Sequence, residues 1–511
     1  MDPNAAGLSN QADSQWPRQH EHKGSRMDER LPRRVARVSA SSQRSRVSVP
    51  LTGLLCIVGI AFLFGGSARP DVLSLLLLRP LSILACGAAL LTLKREHLTE
   101  NWAIIAWSAA ILILVISHLV PLPPQIWQIL PGRQIIVEID EVTGIGPVWR
   151  PLSMAPEWTW NALWSLATPL AVILFAIQLS ARELRLALTS VGLVVVLSAI
   201  LAVAQLASDP KGPLYLYAVT NNGSAVGLFA NRNHQALLLA AGFPVLGLWL
   251  AQLGARRRTN AFLIRVAWIC GALFIIASLL VNGSRSGLVM GICAAVMTWA
   301  LSLFSAHPVE QRAQDRIMRW LTWGGGGILL VFLIASAVSS DRAVVFSRLM
   351  NSELVDDARI RNLPATVEML RDVFPWGSGI GSFQPVFQIY EGDAMISPVY
   401  MNHAHNDWLE AIATGGIPAA LLLIALLVIV VFQVFTLARR NGSDRLLCGT
   451  GLILLLLCTI GSLSDYPVRV PAIAVLMALG LVCLRPPRLQ SDGATVQVVT
   501  QLNRRKHSYA A

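Results

Sequence analysis

The segment 402–411, Asn-His-Ala-His-Asn-Asp-Trp-Leu-Glu-Ala, contains the side chains best suited to moving a proton. Histidine is the usual general base near neutral pH, so His405 is the candidate base for deprotonating a substrate hydroxyl. A metal site is the competing interpretation, because His403, His405 and Asp407 alternate. Alternation is typical of a strand, whereas helical zinc sites place two histidines at i and i+4 around a glutamate, so we predict no metal. The other polar residues predicted to support the base are His403, Asn406 and Glu410.

The turn 282–287, Asn-Gly-Ser-Arg-Ser-Gly, joins two long apolar stretches with almost no loop between them. If both stretches cross a membrane, Arg285 lies beside hydrocarbon, where a charge is costly unless it is paired or functional. The guanidinium fork matches phosphate oxygens, and the N-terminus of the following helix adds unpaired amides suited to an anion. Arg285 is therefore a candidate phosphate-binding and catalytic residue; the alternative is that it snorkels to lipid headgroups.

A second candidate anion-binding arginine lies in the segment 227–235, Gly-Leu-Phe-Ala-Asn-Arg-Asn-His-Gln, directly before another apolar stretch. Arg232 falls where a helix would meet the membrane interface. It would either bind a phosphate or anchor a polar turn at that interface. Asn231 and Asn233 flank it and are candidate supporting residues.

The third arginine-bearing segment is 356–361, Asp-Asp-Ala-Arg-Ile-Arg, in which Arg359 and Arg361 are further candidate anion contacts. A glycine-rich stretch follows at 374–383, and its glycines permit a tight turn that exposes the backbone. The stretch lacks the Lys-Ser/Thr pair of a P-loop and the preceding strand of a dinucleotide site, so we reject both of these functions.

The composition requires a membrane. Of the 511 residues, 54% are hydrophobic and 14% are charged, compared with roughly 25% charged residues in soluble domains. Seven cysteines all lie in apolar runs without a CxxC pair, so neither a disulfide nor a zinc site is expected. The formal net charge of +12 is explained by Lys and Arg retained on the cytoplasmic side of a membrane, and we expect no nucleic-acid partner.

The chain contains about twelve windows of about 20 mainly apolar residues, each long enough to cross a bilayer. We therefore predict an all-α polytopic membrane protein. The windows are 50–67, 73–93, 102–120, 161–180, 185–206, 235–253, 262–281, 286–304, 320–338, 414–437, 446–463 and 467–484.

Orientation follows from the basic clusters between these windows. With the N-terminal tail 1–49 inside, alternation of sides puts every compact basic cluster on the cytoplasmic face, as the positive-inside rule requires. Both termini are then cytoplasmic, with a disordered basic tail at 1–49 and a second tail at 485–511. The clusters are 94–95, 182–185, 256–258, 312–319, 439–445 and 485–488.

All four polar clusters then fall on the outer face, although none of them was used to set the orientation. The longest outer segment is 339–413, whose residues 358–373 have apolar side chains at near-helical spacing. We predict that this segment carries one or two amphipathic helices, and that 121–160 is a second outer loop. The predicted divisions are N-terminal membrane helices at 50–206 and a catalytic membrane domain at 207–484.

At these motifs the chain resembles the O-antigen ligase and O-antigen polymerase superfamily of bacterial membrane glycosyltransferases, over roughly residues 215–470. The motifs are Gly-x-Phe-x-Asn-x-Asn at 227–233, Ser284-Arg285, Pro-x-Gly-x-Gly-x-Gly-x-Phe at 375–383, His-Asn-x-x-Leu-Glu at 405–410, Gly-Gly-Ile-Pro at 415–418, and Asp465. The N-terminal third is similar only in hydropathy and in the segment beginning at Arg150.

The resemblance implies a GT-C-like, inverting, metal-independent transferase without a cofactor. Its donor would be a glycan on undecaprenyl diphosphate, used at the periplasmic face of the bacterial inner membrane. His405 would be the base, Arg232 and Arg285 would bind the diphosphate together with Arg359 or Arg361, and Asp465 would support the site.

The acceptor stays open between lipid A-core of lipopolysaccharide (a ligase), a growing surface polysaccharide or exopolysaccharide chain (a polymerase), and a protein hydroxyl. The long outer segments favour a polymerase, since they could guide a chain, and export or chain-length proteins would then be partners. A transporter or flippase for a polar lipid or glycan is the alternative from another class. Transporters, however, usually place ionisable residues near the bilayer midplane and often show repeated halves.

Overall fold

The computed structural model describes residues 48–254, 261–305, 353–393, 400–440 and 442–485. The predicted membrane window 320–338 and nearly all of both predicted tails lie outside these residues, so the structure does not test them.

The described chain is built almost entirely of helices. The N-terminal half contains α1 (Val49–Phe64), α2 (Leu75–Thr92), α3 (Arg95–Glu100), α4 (Trp102–Ser117), α5 (Pro124–Trp127), α6 (Gln134–Thr143), α7 (Pro156–Ser165), α8 (Ala167–Ala176) and α9 (Ala181–Leu206). The C-terminal half contains α10 (Arg232–Gly254), α11 (Ala261–Asn282), α12 (Arg285–Ser305), α13 (Glu353–Val373), α14 (Phe383–Phe387), α15 (Asp407–Leu437), α16 (Gly442–Gly461) and α17 (Pro471–Cys483).

Within the described ranges, eight helices are long and apolar enough to cross a membrane, and three apolar helices are shorter. Each coincides with one of the predicted windows, which confirms a helical polytopic membrane protein; the count of about twelve spans stays a prediction. The eight are α2, α7 continued by α8, α9, α10, α11, α12, α15 and α16; the shorter three are α1, α4 and α17.

The protein core lies where α1, α8, α9, α10, α12, α16 and α17 pack against one another. Helices α16 and α17 are buried along most of their length, and their buried residues are mainly Leu, Ala, Val and Gly. Helix α15 packs instead against α4 and α13, and Leu421, Leu427 and Phe435 on it are exposed. A fully exposed row of such residues would cost about 1.5–3 kcal/mol for each side chain in water, so these faces require lipid.

The segment 121–160, which was predicted to be an outer loop, contains α5, α6 and a two-residue antiparallel ladder between β1 (Pro121–Leu122) and β2 (Arg150–Pro151), a small addition to a mostly helical fold. The hydropathy pattern does not predict this ladder, because a strand of two residues is too short to show alternation. Arg150 on β2 pairs with Asp140 on α6 and so joins the helix to the ladder.

Two buried side chains attach this segment to the glycine-rich turn that follows α13. Arg133 donates to the backbone oxygens of Leu152 and Gly377, and burial lowers its pKa to about 10. His118, after α4, accepts a hydrogen bond at Nδ1 from the Ile380 amide (3.0 Å), and burial, with a smaller effect of Arg133, lowers its pKa to about 4. Both side chains fix the backbone and are not free to react.

The segment 339–413, predicted to lie on the outer face, contains α13, which covers the predicted amphipathic stretch 358–373. Ala365 and Met369 of α13 pack with Phe383 and Phe387 of α14, and Met401 and Ala404 pack against the same cluster. The segment that carries the histidines therefore packs against a buried apolar cluster.

The glycine-rich turn lies directly against the start of α15. The amide of Ile417 donates to the Pro375 oxygen (2.9 Å), and the amide of Gly379 donates to the Thr414 oxygen (2.8 Å). Gly377 and Gly416 have φ values of +79° and +62°, and a Cβ on either would collide with the backbone of the other segment. Only glycine allows both the left-handed conformation and this close approach.

Candidate functional site

Helix α15 begins at Asp407, seven residues before the predicted apolar window, so half of the polar segment 402–411 is helical. Asn406 is its N-cap, because the side-chain oxygen accepts a hydrogen bond from the Leu409 amide (3.0 Å). His405 precedes the cap with φ +51°, a left-handed conformation that is uncommon in residues other than glycine. The strand-like alternation of His403, His405 and Asp407 is thus a tight turn followed by a helix.

Asp465, in the turn after α16, is buried and connects several of the predicted residues. Its Oδ2 accepts hydrogen bonds from the side-chain amides of Asn231 (3.2 Å) and Asn233 (2.7 Å). Its Oδ1 lies 3.4 Å from Nδ1 of His405 and 3.9 Å from Nε2 of His234. One carboxylate therefore faces the candidate base and is held in place by two amides from the segment before α10.

The two arginine-bearing turns contact each other through their neighbours. Ser284 donates from Oγ to the side-chain oxygen of Asn233 (2.8 Å), and Asn282 donates to the backbone oxygen of Arg232 (3.0 Å). Arg232 is the first residue of α10 and Arg285 the first residue of α12. Two helix N-termini, each with an arginine, are thus brought to the same end of the bundle, an arrangement that favours an anion.

The third predicted arginine pair is not brought into this network. Arg361 is exposed on α13, and no contact among those described joins it to Asp465 or His405. Arg359 lies in the same helix, but its side chain is outside the described part of the chain. Their proposed contact with a diphosphate remains a prediction.

A second polar group lies beside the first and involves residues that the sequence analysis did not select. Arg469 lies 3.1 Å from Oδ1 of Asp407 and 3.2 Å from Oε1 of Glu410. Glu410 is 1% exposed, and it also holds Nδ1 of His403 (3.0 Å) and accepts from the Ala404 amide. Glu410 and His403 therefore stabilise the turn that contains His405.

Sequence reasoning did not select Arg469, His234 or Tyr466. It named Asp407 only for the metal alternative and Ser284 only as part of the Ser284-Arg285 motif. Arg469 had a usable signal, because it is a charge in a short turn between two apolar windows, the same argument that selected Arg285. His234 and Tyr466 had none. The partners of Asp407 and His234 lie about 60 and 230 positions away along the chain, and only the fold brings them together.

A cavity of about 380 Å³ opens beside this second group. Its polar end is formed by Asn402, His403, Asp407 and Arg469, and its remaining wall is mainly apolar. The apolar wall comes from α4, α7, α8, α15 and α17, and it includes Trp107, Ile111, Leu114, Leu170, Ile173, Leu423, Leu426 and Leu481. The cavity therefore joins a mainly apolar wall to the polar group that contains His403.

The described residues include no group of three or more His, Cys, Asp or Glu side chains placed to hold a metal ion. The chemistry that the site offers is that of an imidazole beside a carboxylate, next to two arginine-bearing helix N-termini. It suits removal of a proton from a hydroxyl near an anionic leaving group.

Residues 270–424 match the family model described as O-antigen ligase (Wzy_C). This match supports the resemblance of the region to the O-antigen ligase and polymerase superfamily. No curated protein matches the chain. The matched O-antigen ligase region runs from within α11 to within α15 and contains Arg285, His403, His405 and Glu410. Arg232 and Asp465 lie outside it, yet the fold brings their turns to the same end of the O-antigen ligase region. The match supports a membrane glycosyltransferase of the O-antigen ligase or polymerase type.

Proposed function

We propose that this protein transfers or polymerises a glycan carried on undecaprenyl diphosphate, at the periplasmic face of the bacterial inner membrane. The reaction is inverting and needs no metal. The observation that carries the proposal is the pairing of His405 with the buried carboxylate of Asp465, in the same network that joins the Arg232 and Arg285 turns.

His405 is the general base. Its Nδ1 is buried and lies 3.4 Å from Oδ1 of Asp465, so Nε2 is the nitrogen left to meet a substrate. The acceptor hydroxyl oxygen attacks the anomeric carbon while its proton passes to Nε2. Asp465 stabilises the resulting imidazolium, as the carboxylate does in other carboxylate–histidine pairs. General-base help of this kind contributes about 10²- to 10⁴-fold.

Arg232 and Arg285 hold the leaving group. The bond between the anomeric carbon and the diphosphate oxygen breaks, and the electron pair leaves with the lipid diphosphate. Two guanidinium groups at helix N-termini stabilise that negative charge electrostatically, which is the part a cation would otherwise supply. Single displacement at the anomeric carbon gives inversion.

The apolar wall of the cavity supports a lipid-linked substrate. Its polar end carries His403, adjacent to the turn of His405, so a chain lying along α4, α8 and α17 would place its head group near the base. The acceptor that the sequence analysis favours, a growing polysaccharide chain, is retained as part of the proposal, and export or chain-length proteins are its expected partners.

The direct test is reconstitution of the purified protein with a synthetic glycan on undecaprenyl diphosphate and a matching acceptor, with chelator present. We expect a longer glycan with an inverted linkage and release of undecaprenyl diphosphate. If lipid-linked glycan only crosses the bilayer of a vesicle and no new glycosidic bond forms, the protein is a transporter or flippase and the proposal is wrong.

The acceptor is identified by analysing the surface glycans of cells that lack the protein. A polymerase leaves single capped repeats and no long chains, and this is the result we expect. Uncapped lipid A-core with accumulated lipid-linked polymer would instead identify a ligase.

A further inference from the structure

The ring of Tyr466 lies among three histidines. Its centroid is 4.5 Å from that of His403, 5.0 Å from that of His405 and 5.4 Å from that of His234. The contacts with His405 and His234 are edge-to-face, with interplanar angles of 60° and 73°. Aromatic rings at these separations attract one another and restrict one another's rotation.

The ring orientation of His405 depends on such aromatic contacts more than that of His403 does. His403 shares a 3.0 Å hydrogen bond with Glu410, which fixes its ring independently of Tyr466. The Nδ1 of His405 is buried and near Asp465, but it has no partner within hydrogen-bond geometry among the described residues. Its backbone is also in the left-handed region, which is uncommon for residues other than glycine and needs support from surrounding contacts.

Tyr466, which contacts the imidazole ring of His405, is adjacent in sequence to Asp465, which faces Nδ1 of that ring. Tyr466 follows Asp465 in the chain, and its amide donates to Oδ1 of Asp465 (3.0 Å), the same oxygen that lies near His405. The turn after α16 thus contacts the imidazole twice, through a carboxylate at Nδ1 and through an aromatic ring against its edge.

We propose that Tyr466 is a positioning residue for His405: its ring holds the imidazole so that Nε2 points at the acceptor hydroxyl. This inference rests on the proposed function. It assigns no contact with substrate to Tyr466, and it predicts that an aromatic ring at this position is what the base requires, because the three histidine contacts are contacts between rings.

The test compares Tyr466→Leu and Tyr466→Phe in the purified transferase, with Tyr400→Leu as the matched control. Tyr400 is a half-exposed tyrosine close to the same segment, and its recorded ring contact is with Arg69 and not with a histidine. We expect Tyr466→Leu to lower kcat by roughly ten- to hundredfold at nearly constant KM, because a displaced base slows chemistry without weakening binding. Tyr466→Phe and Tyr400→Leu should keep most of the activity.

A double-mutant cycle separates positioning from direct contact. In a His405→Gln background, Tyr466→Leu should lower the remaining rate by less than about threefold, because the group it positions is already gone. An equal fold-loss in both backgrounds would overturn the proposal, and so would a rise in KM alone, which would indicate that Tyr466 binds the sugar. Wild-type protein that makes no product refutes the proposed function; active wild-type protein with unaffected Tyr466→Leu refutes only this inference.

Discussion

His405 is placed by three features that act together: a left-handed backbone, a carboxylate at one nitrogen, and an aromatic ring at its edge. A left-handed residue other than glycine costs about 1–3 kcal/mol, and surrounding contacts must offset it. Asp465 is one of these contacts, because it faces His405 and is itself held by two asparagine amides. At the scale of single residues, the site is therefore a fixed acid–imidazole pair.

Replacement of Asp465 tests this pair. In Asp465→Asn the side chain keeps its size but loses the charge that stabilises an imidazolium, so we expect kcat to fall at least tenfold with little change in expression. The assay is product formation per folded protein. Asp209→Asn is the matched control. Asp209 lies far from Asp465 in the sequence, in an exposed turn, where its carboxylate accepts a hydrogen bond from the Lys211 amide. Activity unchanged in Asp465→Asn would contradict the role.

At the scale of elements, the site depends on how the start of α15 meets the turn between α16 and α17. Asp407 and Glu410 of α15 pair with Arg469, and Asp407 also accepts hydrogen bonds from Ser462 (2.9 Å) and the Val468 amide (3.2 Å). Removing one partner from a buried ion pair is costly, because the remaining charge is left without compensation.

Arg469→Gln should therefore destabilise the protein by about 3–5 kcal/mol. The measurement is thermal unfolding in detergent. The control is Arg69→Gln, which breaks an ion pair whose carboxylate, Asp71, is 61% exposed, and it should cost about 0–1 kcal/mol. Adding Glu410→Gln to Arg469→Gln should restore part of the lost stability. Equal melting temperatures for Arg469→Gln and Arg69→Gln would show that the pairing of Arg469 does not stabilise the fold.

The sequence predicted the helices well because the apolar windows are local. It predicted helix starts less well. Hydropathy depends only on side-chain polarity, so it places Asp407 in a polar segment before the helix. In the structure Asp407 begins the helix, because its carboxylate pairs with groups of a distant turn, those of Arg469, Ser462 and Val468. Likewise Asp465 could be selected by motif resemblance, but its bonds to Asn231 and Asn233 are tertiary contacts that no local pattern contains.

At the scale of the whole molecule, the three turns that contain Arg232, Arg285 and His405 meet at one end of the helices. Positive-inside alternation predicted one face for them, and that face should be periplasmic. The exposed apolar surface of α15 and other helices indicates where lipid covers the protein.

Cysteine labelling in spheroplasts tests this orientation. A cysteine at Val142, which is 89% exposed in the outer segment, should react with an impermeant maleimide. A cysteine at Arg439, after α15, should react only once the membrane is opened. The seven native cysteines lie in apolar runs, and a parallel sample without the added cysteine gives their background. The opposite labelling pattern would reverse the predicted topology.

The most direct test of the central claim is steady-state kinetics of His405→Ala and Arg285→Ala beside the wild-type enzyme, with the undecaprenyl-diphosphate-linked donor varied. We predict that His405→Ala lowers kcat by about 10²- to 10⁴-fold with donor KM nearly unchanged, whereas Arg285→Ala lowers kcat and raises donor KM. Full activity in both variants at normal folding would contradict the account.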